Sequence, residues 1–284
     1  MFCAYILSCS VSMVSSAVSN SFRDCSHFFY MQTPPAGIRG TSPKKICQKF
    51  ADKLRYATLY DSSRRLPLYS AYIFKKSDGK RRADTPWMYE PQVEKAEESG
   101  IHLKNCVKNT QAILDDYTNA IQYERGTLNP DEHQNEPDDK ASTYTLTNVV
   151  PMVPDFNDRI WTKQQHIVRK RLNNYCRGTA YVVTGITKSG TMIRRENMNR
   201  IAVPDYLWSA YCCVDYDHNT PYTERYKFPS FAHYALNGDE NNEVVETSVP
   251  KLREFLRKSF VNQNFQIFVG DCKPQPSMRT YQTK

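Results

Sequence analysis

Two aromatic and β-branched runs joined by a short polar segment constrain the fold of this chain more than any other feature. Residues 56–60 and 66–74 form the runs, and residues 61–65 between them are rich in turn-forming side chains. Runs of this composition form strands, and a polar turn between two of them predicts a β-hairpin. The chain must therefore build at least part of a sheet.

Helical and strand patterns alternate along the rest of the chain, which predicts an α+β fold with a mixed antiparallel sheet flanked by helices. Residues 131–140 are polar and acidic, so we expect an exposed loop there. The helix candidates are residues 44–54, 111–121, 157–175 and 248–260. The further strand candidates are residues 144–150, 180–185, 206–214 and 265–269.

Length and charge limit the class of protein. A chain of 284 residues with 40% hydrophobic and 12% aromatic side chains can build one large domain, and it is neither disordered nor fibrous. The formal net charge of +8 favours polyanion partners such as nucleic acid, because lysine and arginine attract phosphates. The same surplus is also typical of an ordinary solvated surface.

The N-terminus predicts export. Residues 1–19 carry no charged side chain, and Ala17-Val18-Ser19 has the small residues of a secretory cleavage site. We therefore predict a signal peptide over residues 1–19, a domain over residues 20–272, a frayed tail over residues 273–284 and secretion to the extracellular space. No later segment is apolar and long enough to span a membrane. The oligomeric state is left open.

Cysteine usage agrees with an oxidising compartment, where most cysteines form disulfides. None is arranged as Cys-x-x-Cys, so a zinc site is not expected. Neighbouring Cys212 and Cys213 rarely bond to each other, and one of them is predicted to reach Cys272. Cys25 and Cys47 are a second candidate pair. The cysteines that follow the predicted signal peptide are Cys25, Cys47, Cys106, Cys176, Cys212, Cys213 and Cys272. Seven is odd, so one should be free or bonded to another chain.

Several ordered blocks resemble the DNA/RNA non-specific endonuclease family from about residue 28 to residue 272. The central block is Glu124-Arg125-Gly126-Thr127-Leu128-Asn129-Pro130. The others are residues 57–61, 67–72, 145–151, 156–157, 183–185 and 201–213, together with Trp161. No single block is specific, but their order and spacing are.

The resemblance implies a ββα-metal, or His-Me finger, nuclease fold that hydrolyses phosphodiesters with one Mg²⁺. In that family a motif histidine activates water, an arginine contacts phosphate and an asparagine binds the metal. Arg125 matches the arginine, Asn157 matches the metal-binding asparagine, and Asn148 keeps a polar position expected to contact nucleic acid. Thr127 stands where the family has its histidine, and Gln165 where it has a glutamate.

These two departures predict impaired catalysis. A threonine hydroxyl is not basic near neutral pH, and general-base assistance contributes about 10²- to 10⁴-fold. Asn157, Trp161 and Gln165 are spaced i, i+4 and i+8, so a regular helix would place them on one face. Asn157 could instead cap its helix. Arg125 could be a surface arginine in a turn.

Two other functions are compatible with the same residues. The first is an active Mg²⁺-dependent nuclease that uses His133, or a metal-bound hydroxide, in place of the motif histidine. The second is an extracellular interaction protein that retains only the disulfide-braced fold. Salt-dependent binding of DNA would separate a polyanion-binding protein from the second alternative.

Overall fold

An antiparallel sheet organises the chain. The computed structural model describes residues 17–80, 85–90, 107–118, 122–188, 190–238, 242–260 and 264–273. Within these ranges eight strands form one sheet in the order β1-β2-β3-β4-β7-β10-β11-β12, and the pairs β5-β6 and β8-β9 lie outside it. The strands are β1 (Ala17–Ser19), β2 (Pro43–Phe50), β3 (Lys53–Asp61), β4 (Leu66–Ile73), β5 (Glu124–Thr127), β6 (Val149–Met152), β7 (Ala180–Ile186), β8 (Met192–Arg195), β9 (Met198–Ala202), β10 (Tyr206–Cys213), β11 (Ser230–Leu236) and β12 (Val245–Thr247).

Helices cover the sheet and connect its strands. They are α1 (Leu114–Tyr117), α2 (Pro137–Ser142), α3 (Thr162–Tyr175), α4 (Tyr222–Arg225) and α5 (Val249–Phe260), and a π-helical turn, Phe156–Trp161, leads into α3. Helices α3 and α5 confirm two of the four helix predictions. Of the predicted helix over residues 111–121, only the four residues of α1 are helical, and residues 119–121 lie outside the described ranges.

The predicted hairpin is present as β3 and β4, and Leu59 pairs with Tyr69 across it. The predicted helix over residues 44–54 is wrong, because that segment forms β2 and the start of β3. Ile46 and Cys47 are fully buried there. Strand pairing satisfies the backbone of the segment, and tertiary burial overrides a weak helix propensity.

Two strand predictions are confirmed, one is partly correct and one is wrong. Strands β7 and β10 confirm the predictions over residues 180–185 and 206–214. Of the predicted strand over residues 144–150, residues 149 and 150 lie in β6, and a 3₁₀ turn, Leu146–Asn148, precedes them. The last prediction, residues 265–269, contributes only an isolated bridge between Gln266 and Ala36. Most of both segments is buried, and composition alone does not distinguish a buried turn from a buried strand.

The prediction of an exposed loop over the polar residues 131–140 is correct only in part, because within it only residues 135–138 are exposed. The segment forms a 3₁₀ turn, Asp131–His133, followed by α2. The residues from Asp131 to Gln134 are buried. Buried polar side chains need hydrogen-bond partners, and this segment finds them in β4 and α3, as shown below for His133. Burial of these groups is set by tertiary contacts that the local pattern does not contain.

The two faces of the sheet carry different layers. On one face Val168 and Leu172 of α3 pack against Tyr56, Tyr72 and other sheet residues. On the other face the ring of Phe255 from α5 stacks on Tyr234, with 4.2 Å between ring centroids. Side chains alternate along a strand, so each central strand contributes to both layers.

The same alternation explains the adjacent cysteines. Cys212 bonds to Cys272 beside α5, whereas Cys213 bonds to Cys176 at the end of α3. The predicted pair Cys25–Cys47 is also present and joins the N-terminal 3₁₀ segment to β2. The Cys176–Cys213 bond was not anticipated. Cys106 lies outside the described residues.

The N-terminal prediction is only partly within the described ranges. Ala17–Ser19, the predicted cleavage site, forms β1 and pairs with β2 from Lys45 to Cys47. Residues 1–16 and 274–284, which hold most of the predicted signal peptide and tail, lie outside those ranges. In the part of the chain that is described, no helix has the length and apolar character needed to cross a membrane.

Candidate active site

A β-hairpin and a helix present the motif residues. Strands β5 and β6 pair antiparallel, with Thr127 opposite Val149 and Gly126 opposite Val150. The Met152 side chain packs directly over Gly126, and a Cβ atom on that glycine would collide with its thioether. A side chain at this position would force the buried Met152 side chain to move. After β6 the chain turns into the π-helical turn and α3, which completes a ββα unit.

The π-helical turn changes which residues share a face. In a regular helix Asn157, Trp161 and Gln165 would align, but a π turn has i→i+5 hydrogen bonding. Asn157 and Gln165 line the pocket together with Thr162, whose hydroxyl donates to the Asn157 carbonyl at 2.8 Å. Trp161 is instead 1% exposed and packs in the core. The predicted common face holds for the two candidate site residues and fails for Trp161.

These residues enclose a small cavity of about 140 Å³. Its wall includes Arg125, Thr127, Asp131, Tyr144, Asn157 and Gln165. Four candidates from two separate segments are therefore brought together, namely Arg125 and Thr127 of β5 and Asn157 and Gln165 of the helical segment. Thr127 occupies the end of β5, where the family motif has its histidine. No histidine is among the described residues of the cavity wall.

Among the residues that the structure describes, aromatic rings hold the Arg125 guanidinium. Its guanidinium carbon lies 5.1 Å from the ring centroid of Trp87 and 5.9 Å from that of Tyr117. Its Nε is buried and has no hydrogen-bond partner among the described residues. Arg125 lies on β5 and not in a turn, which excludes the alternative of an ordinary turn arginine. A guanidinium held in this way keeps N–H donors at its edge for an anion such as phosphate.

Asn157 lies inside a helix and does not cap it. Pro154 and Asp155 before it are already helical, and its backbone N–H donates to the Val153 carbonyl at 2.8 Å. The alternative of a helix cap is therefore wrong. Its side-chain Nδ2 donates to Glu124 Oε2 at 3.2 Å. Since the amide nitrogen is bound to Glu124, the carboxamide oxygen is the atom that can bind a cation.

Asn148 does not have the nucleic-acid contact predicted for it. It is fully buried, and its carboxamide oxygen accepts hydrogen bonds from the Ser70 hydroxyl and the Asn129 N–H. Its Nδ2 donates to the carbonyls of Asn129 and Thr143. Asn148 therefore joins β4, the segment after β5 and the end of α2. These contacts hold the segment that follows the motif in place.

His133 is also structural. Its Nε2 bonds to the Gln165 carbonyl at 2.9 Å, and its Nδ1 bonds to the Tyr72 hydroxyl at 2.8 Å. A carbonyl only accepts, so Nε2 carries the proton and Nδ1 accepts from Tyr72. Burial lowers the pKa of His133 to about 4; the Gln165 carbonyl opposes this shift and Arg169 adds to it. With both ring nitrogens occupied, His133 cannot act as the base of the first alternative function in this conformation.

Sequence reasoning missed three residues of the site. Glu124 precedes the motif arginine, and its contact with Asn157 requires the β5–α3 packing. Asp131 falls in the segment predicted to be an exposed loop, yet it lines the cavity and accepts from the Tyr144 hydroxyl at 2.7 Å. Trp87 lies in a segment without clear pattern, 38 positions before Arg125. Adjacency to the motif was a usable signal for Glu124 and Asp131, but none existed for Trp87.

Comparison with known proteins agrees with this geometry. The family model described as DNA/RNA non-specific endonuclease matches residues 35–256. The chain is similar to human endonuclease domain-containing 1 protein, with 32% identity over 204 residues that cover 68% of this chain and 39% of that protein. Its mouse counterpart is 30% identical over the same coverage. The chain thus spans about two fifths of the length of these curated relatives.

A solved structure shows the same fold. The chain is similar to EndoG in the crystal structure of the EndoG/EndoGI complex. The TM-score is 0.52 and the sequence identity is 17%. The match covers 79% of this chain and 86% of that one. Similarity at this identity extends to the fold, which is the ββα-metal α+β architecture. With the family match over residues 35–256 and the β5-β6-α3 unit that carries its motif, the chain belongs to the DNA/RNA non-specific endonuclease family.

Proposed function

We propose that this chain is a member of the nuclease family whose phosphodiester hydrolysis is impaired and whose pocket still binds phosphate. The observation that carries the proposal is Thr127 at the cavity wall, where the family has its general base. General-base assistance to hydrolysis requires a basic group within about 2.6–3.2 Å of the attacking water. Thr127 lacks a basic atom, and the two nitrogens of nearby His133 are both occupied.

The site retains the group that would bind phosphate, Arg125. Arg125 has a buried Nε without a partner among the described residues, and rings rather than carboxylates hold its guanidinium. A bound phosphate would meet a positive charge that no salt bridge from the described residues neutralises. The net charge of +8 adds a long-range attraction for polyanions. We therefore expect nucleic-acid binding that weakens steeply as salt is raised.

The donor atoms around the cavity suit a hard divalent cation, and we propose Mg²⁺. The Asn157 carboxamide oxygen would hold it, with the Glu124 carboxylate beside that side chain. Among the described residues no three His, Cys, Asp or Glu side chains converge on one point. Mg²⁺ keeps several waters and needs only one or two protein groups, so this donor set fits it. When bound, the ion would stabilise the charge of the phosphate.

Gln165 weakens this arrangement further. It lines the same cavity but is neutral, whereas the family has a glutamate at this position. The loss of negative charge lowers the attraction for a cation. Glu124 and Asp131 are the carboxylates that remain nearby. We expect a cation affinity below that of family members with the full set.

Digestion of plasmid DNA and of RNA tests the proposal, with Mg²⁺ and with a chelator. We expect no cleavage above that of Asn157→Ala, which controls for contaminating nuclease. Electrophoretic mobility shifts at low and high salt would test binding in parallel. Cleavage that needs both Mg²⁺ and Asn157 would contradict impairment and show that another base operates. A lack of salt-sensitive binding would contradict retained phosphate binding and favour a protein that keeps only the fold.

We also propose that the protein is exported. Three disulfides, Cys25–Cys47, Cys176–Cys213 and Cys212–Cys272, support an oxidising compartment. The uncharged stretch over residues 1–19 supports a secretory signal. Expression with a C-terminal tag should release protein into the medium with a new N-terminus near residue 20. Retention of the tagged protein in the cytosol with free thiols would contradict export.

A further inference from the structure

The cavity has an aromatic and acidic wall that phosphate binding does not use. The rings of Trp87 and Tyr144 meet edge to face, with 5.3 Å between centroids. The Tyr144 hydroxyl donates to Asp131 Oδ2 at 2.7 Å, which places a carboxylate on this wall. A carboxylate repels a phosphate. The wall formed by Trp87, Tyr144 and Asp131 therefore suits a flat, uncharged group that carries hydrogen-bond donors.

The two sides of the cavity differ in charge. Arg125 contributes a guanidinium held over Trp87, and Asp131 contributes a carboxylate held by Tyr144. Trp87 therefore connects the positive side to the negative side. A nucleotide has two parts that match these two sides. Its phosphate is anionic and suits Arg125, and its base is a flat ring system whose N–H donors suit Asp131.

The size of the cavity limits what enters it. A volume of about 140 Å³ is below the roughly 300–1,000 Å³ of pockets that enclose drug-sized ligands. A single flat base can enter a cavity of this size while its sugar and phosphate stay at the open side, but a base pair cannot. In a duplex the Watson–Crick edge of each base is already hydrogen-bonded and its faces are stacked. Chemistry on a base inside a duplex requires that the base be extruded first.

We propose that this pocket takes one unpaired nucleotide, with its phosphate at Arg125 and its base against the wall formed by Trp87, Tyr144 and Asp131. The proposal rests on the proposed function, since it requires that the site binds nucleic acid. Bases stack on aromatic side chains with little dependence on sequence. The carboxylate of Asp131 accepts an N–H from the free edge of the base. The ligand class is therefore single-stranded DNA or RNA, and duplex DNA binds less tightly.

Fluorescence anisotropy with three labelled probes of equal length tests this. The probes are a short oligothymidylate, an abasic oligonucleotide with the same phosphates, and a duplex. Base stacking should make the oligothymidylate bind about 5- to 150-fold more tightly than the abasic probe. Trp87→Leu should remove that difference, whereas Trp87→Phe keeps an aromatic ring and should retain most of it. The ratio between the two probes is the readout, because Trp87 also supports Arg125.

Intrinsic fluorescence gives a second readout on the unmodified protein. The chain has three tryptophans, and Trp161 and Trp208 are 1% and 0% exposed while Trp87 is partly exposed. Oligothymidylate should therefore quench emission that is lost in Trp87→Phe, and the abasic probe should not.

The outcomes separate this proposal from the proposed function. Equal affinity for the oligothymidylate and the abasic probe would overturn the base-binding proposal and leave phosphate binding intact. An affinity ratio that is unchanged in Trp87→Leu would overturn it as well. Absence of binding to all three probes, with or without Mg²⁺, would instead overturn the retained phosphate binding on which the proposal rests.

Discussion

Glu124 orients Asn157 across the junction between β5 and the helix, through a hydrogen bond of 3.2 Å from Asn157 Nδ2 to Glu124 Oε2. The strand and the helix each supply one partner, so the contact depends on the packing of the ββα unit. This hydrogen bond occupies the amide nitrogen of Asn157, so its carboxamide oxygen is the atom that would bind a cation. It also sets a carboxylate beside the proposed cation, which partly replaces the charge that is missing at Gln165.

Glu124→Ala should weaken divalent-cation binding by about 10- to 100-fold, the usual effect of removing a group that orients a metal ligand. Glu124→Gln removes the charge but keeps an acceptor for Asn157, so its loss should be smaller. Titration of Mn²⁺ followed by electron paramagnetic resonance measures both. Asp52→Asn is the matched control, because the Asp52 side chain is 96% exposed on the β2–β3 turn. An unchanged Mn²⁺ affinity in Glu124→Ala would show that Asn157 is oriented without it.

Thr127→His should create Mg²⁺-dependent cleavage of plasmid DNA. The substitution restores a basic nitrogen at the end of β5, where Thr127 already faces the cavity. General-base assistance supports a gain of about 10²- to 10⁴-fold over the unmodified chain. Thr127→His combined with Gln165→Glu should cleave faster still, and Thr127→Ala is the control that adds no base. Inactivity of the double variant, with cation binding intact, would contradict a defect confined to these two positions.

Asp116 and Arg200 form a buried ion pair that ties α1 to β9. Arg200 Nε and Nη2 donate to the two carboxylate oxygens at 2.7 and 3.0 Å, and the side chains are 2% and 3% exposed. Asp116→Ala leaves the guanidinium buried without its partner, which costs about 3–5 kcal/mol in free energy of unfolding. Urea denaturation measures this loss of free energy, and the exposed Asp52→Asn is the control, expected to cost no more than about 1 kcal/mol.

Binding of phosphate gives Asp116→Ala a second readout, because Asp116 is followed by Tyr117. Tyr117 is one of the two rings that hold Arg125. Asp116→Ala should therefore also weaken binding of phosphate-containing probes under conditions where the variant is still folded. A variant that is as stable as the unmodified protein would contradict the first expectation.

Stability should fall as the pH drops from about 6.5 towards 4. Burial lowers the pKa of His133 from 6.5 to about 4, and burial lowers that of His233 to about 3. Between these values and 6.5 the unfolded chain binds protons that the folded chain excludes, so stability is full above pH 6.5 and is lost below it. His133 alone contributes about 3 kcal/mol over this range.

Urea denaturation at a series of pH values measures this effect. His233→Phe keeps the ring contact with Trp161, whose centroid lies 5.1 Å away, and should make the pH dependence shallower. Its Nε2 has no partner among the described residues, so the loss at pH 7 should be small. A free energy of unfolding that is flat from pH 6.5 to 5 would contradict neutral buried histidines.

The two disulfides of β10 should stabilise the sheet on opposite faces. A peptide map without reduction should recover Cys212 linked to Cys272 and Cys213 linked to Cys176. Replacing Cys212 and Cys272 together by alanine should cost about 2–5 kcal/mol, because the bond closes a loop with a sequence separation of 60. Recovery of Cys213 linked to Cys272 would contradict the assignment of each cysteine to its face.

Elements with a local signal could be predicted from the residue pattern. The β3–β4 hairpin, the helices α3 and α5 and the strands β7 and β10 follow from residue patterns within one segment. The order of the motif blocks determined the family, and it located Arg125, Thr127, Asn157 and Gln165 as candidate site residues. These features depend on residues that are neighbours along the chain, so a single sequence is enough to predict them.

The burial of polar groups and the choice of their partners depend on contacts made in the folded protein. The segment over residues 44–54 became a strand because β3 pairs with it, and His133 became structural because Tyr72 and Gln165 take both of its nitrogens. Trp87 reaches Arg125 across 38 positions of sequence. Strand pairing, burial and ring contacts join residues that are distant in the chain, and their free energy exists only once those residues meet in the folded state.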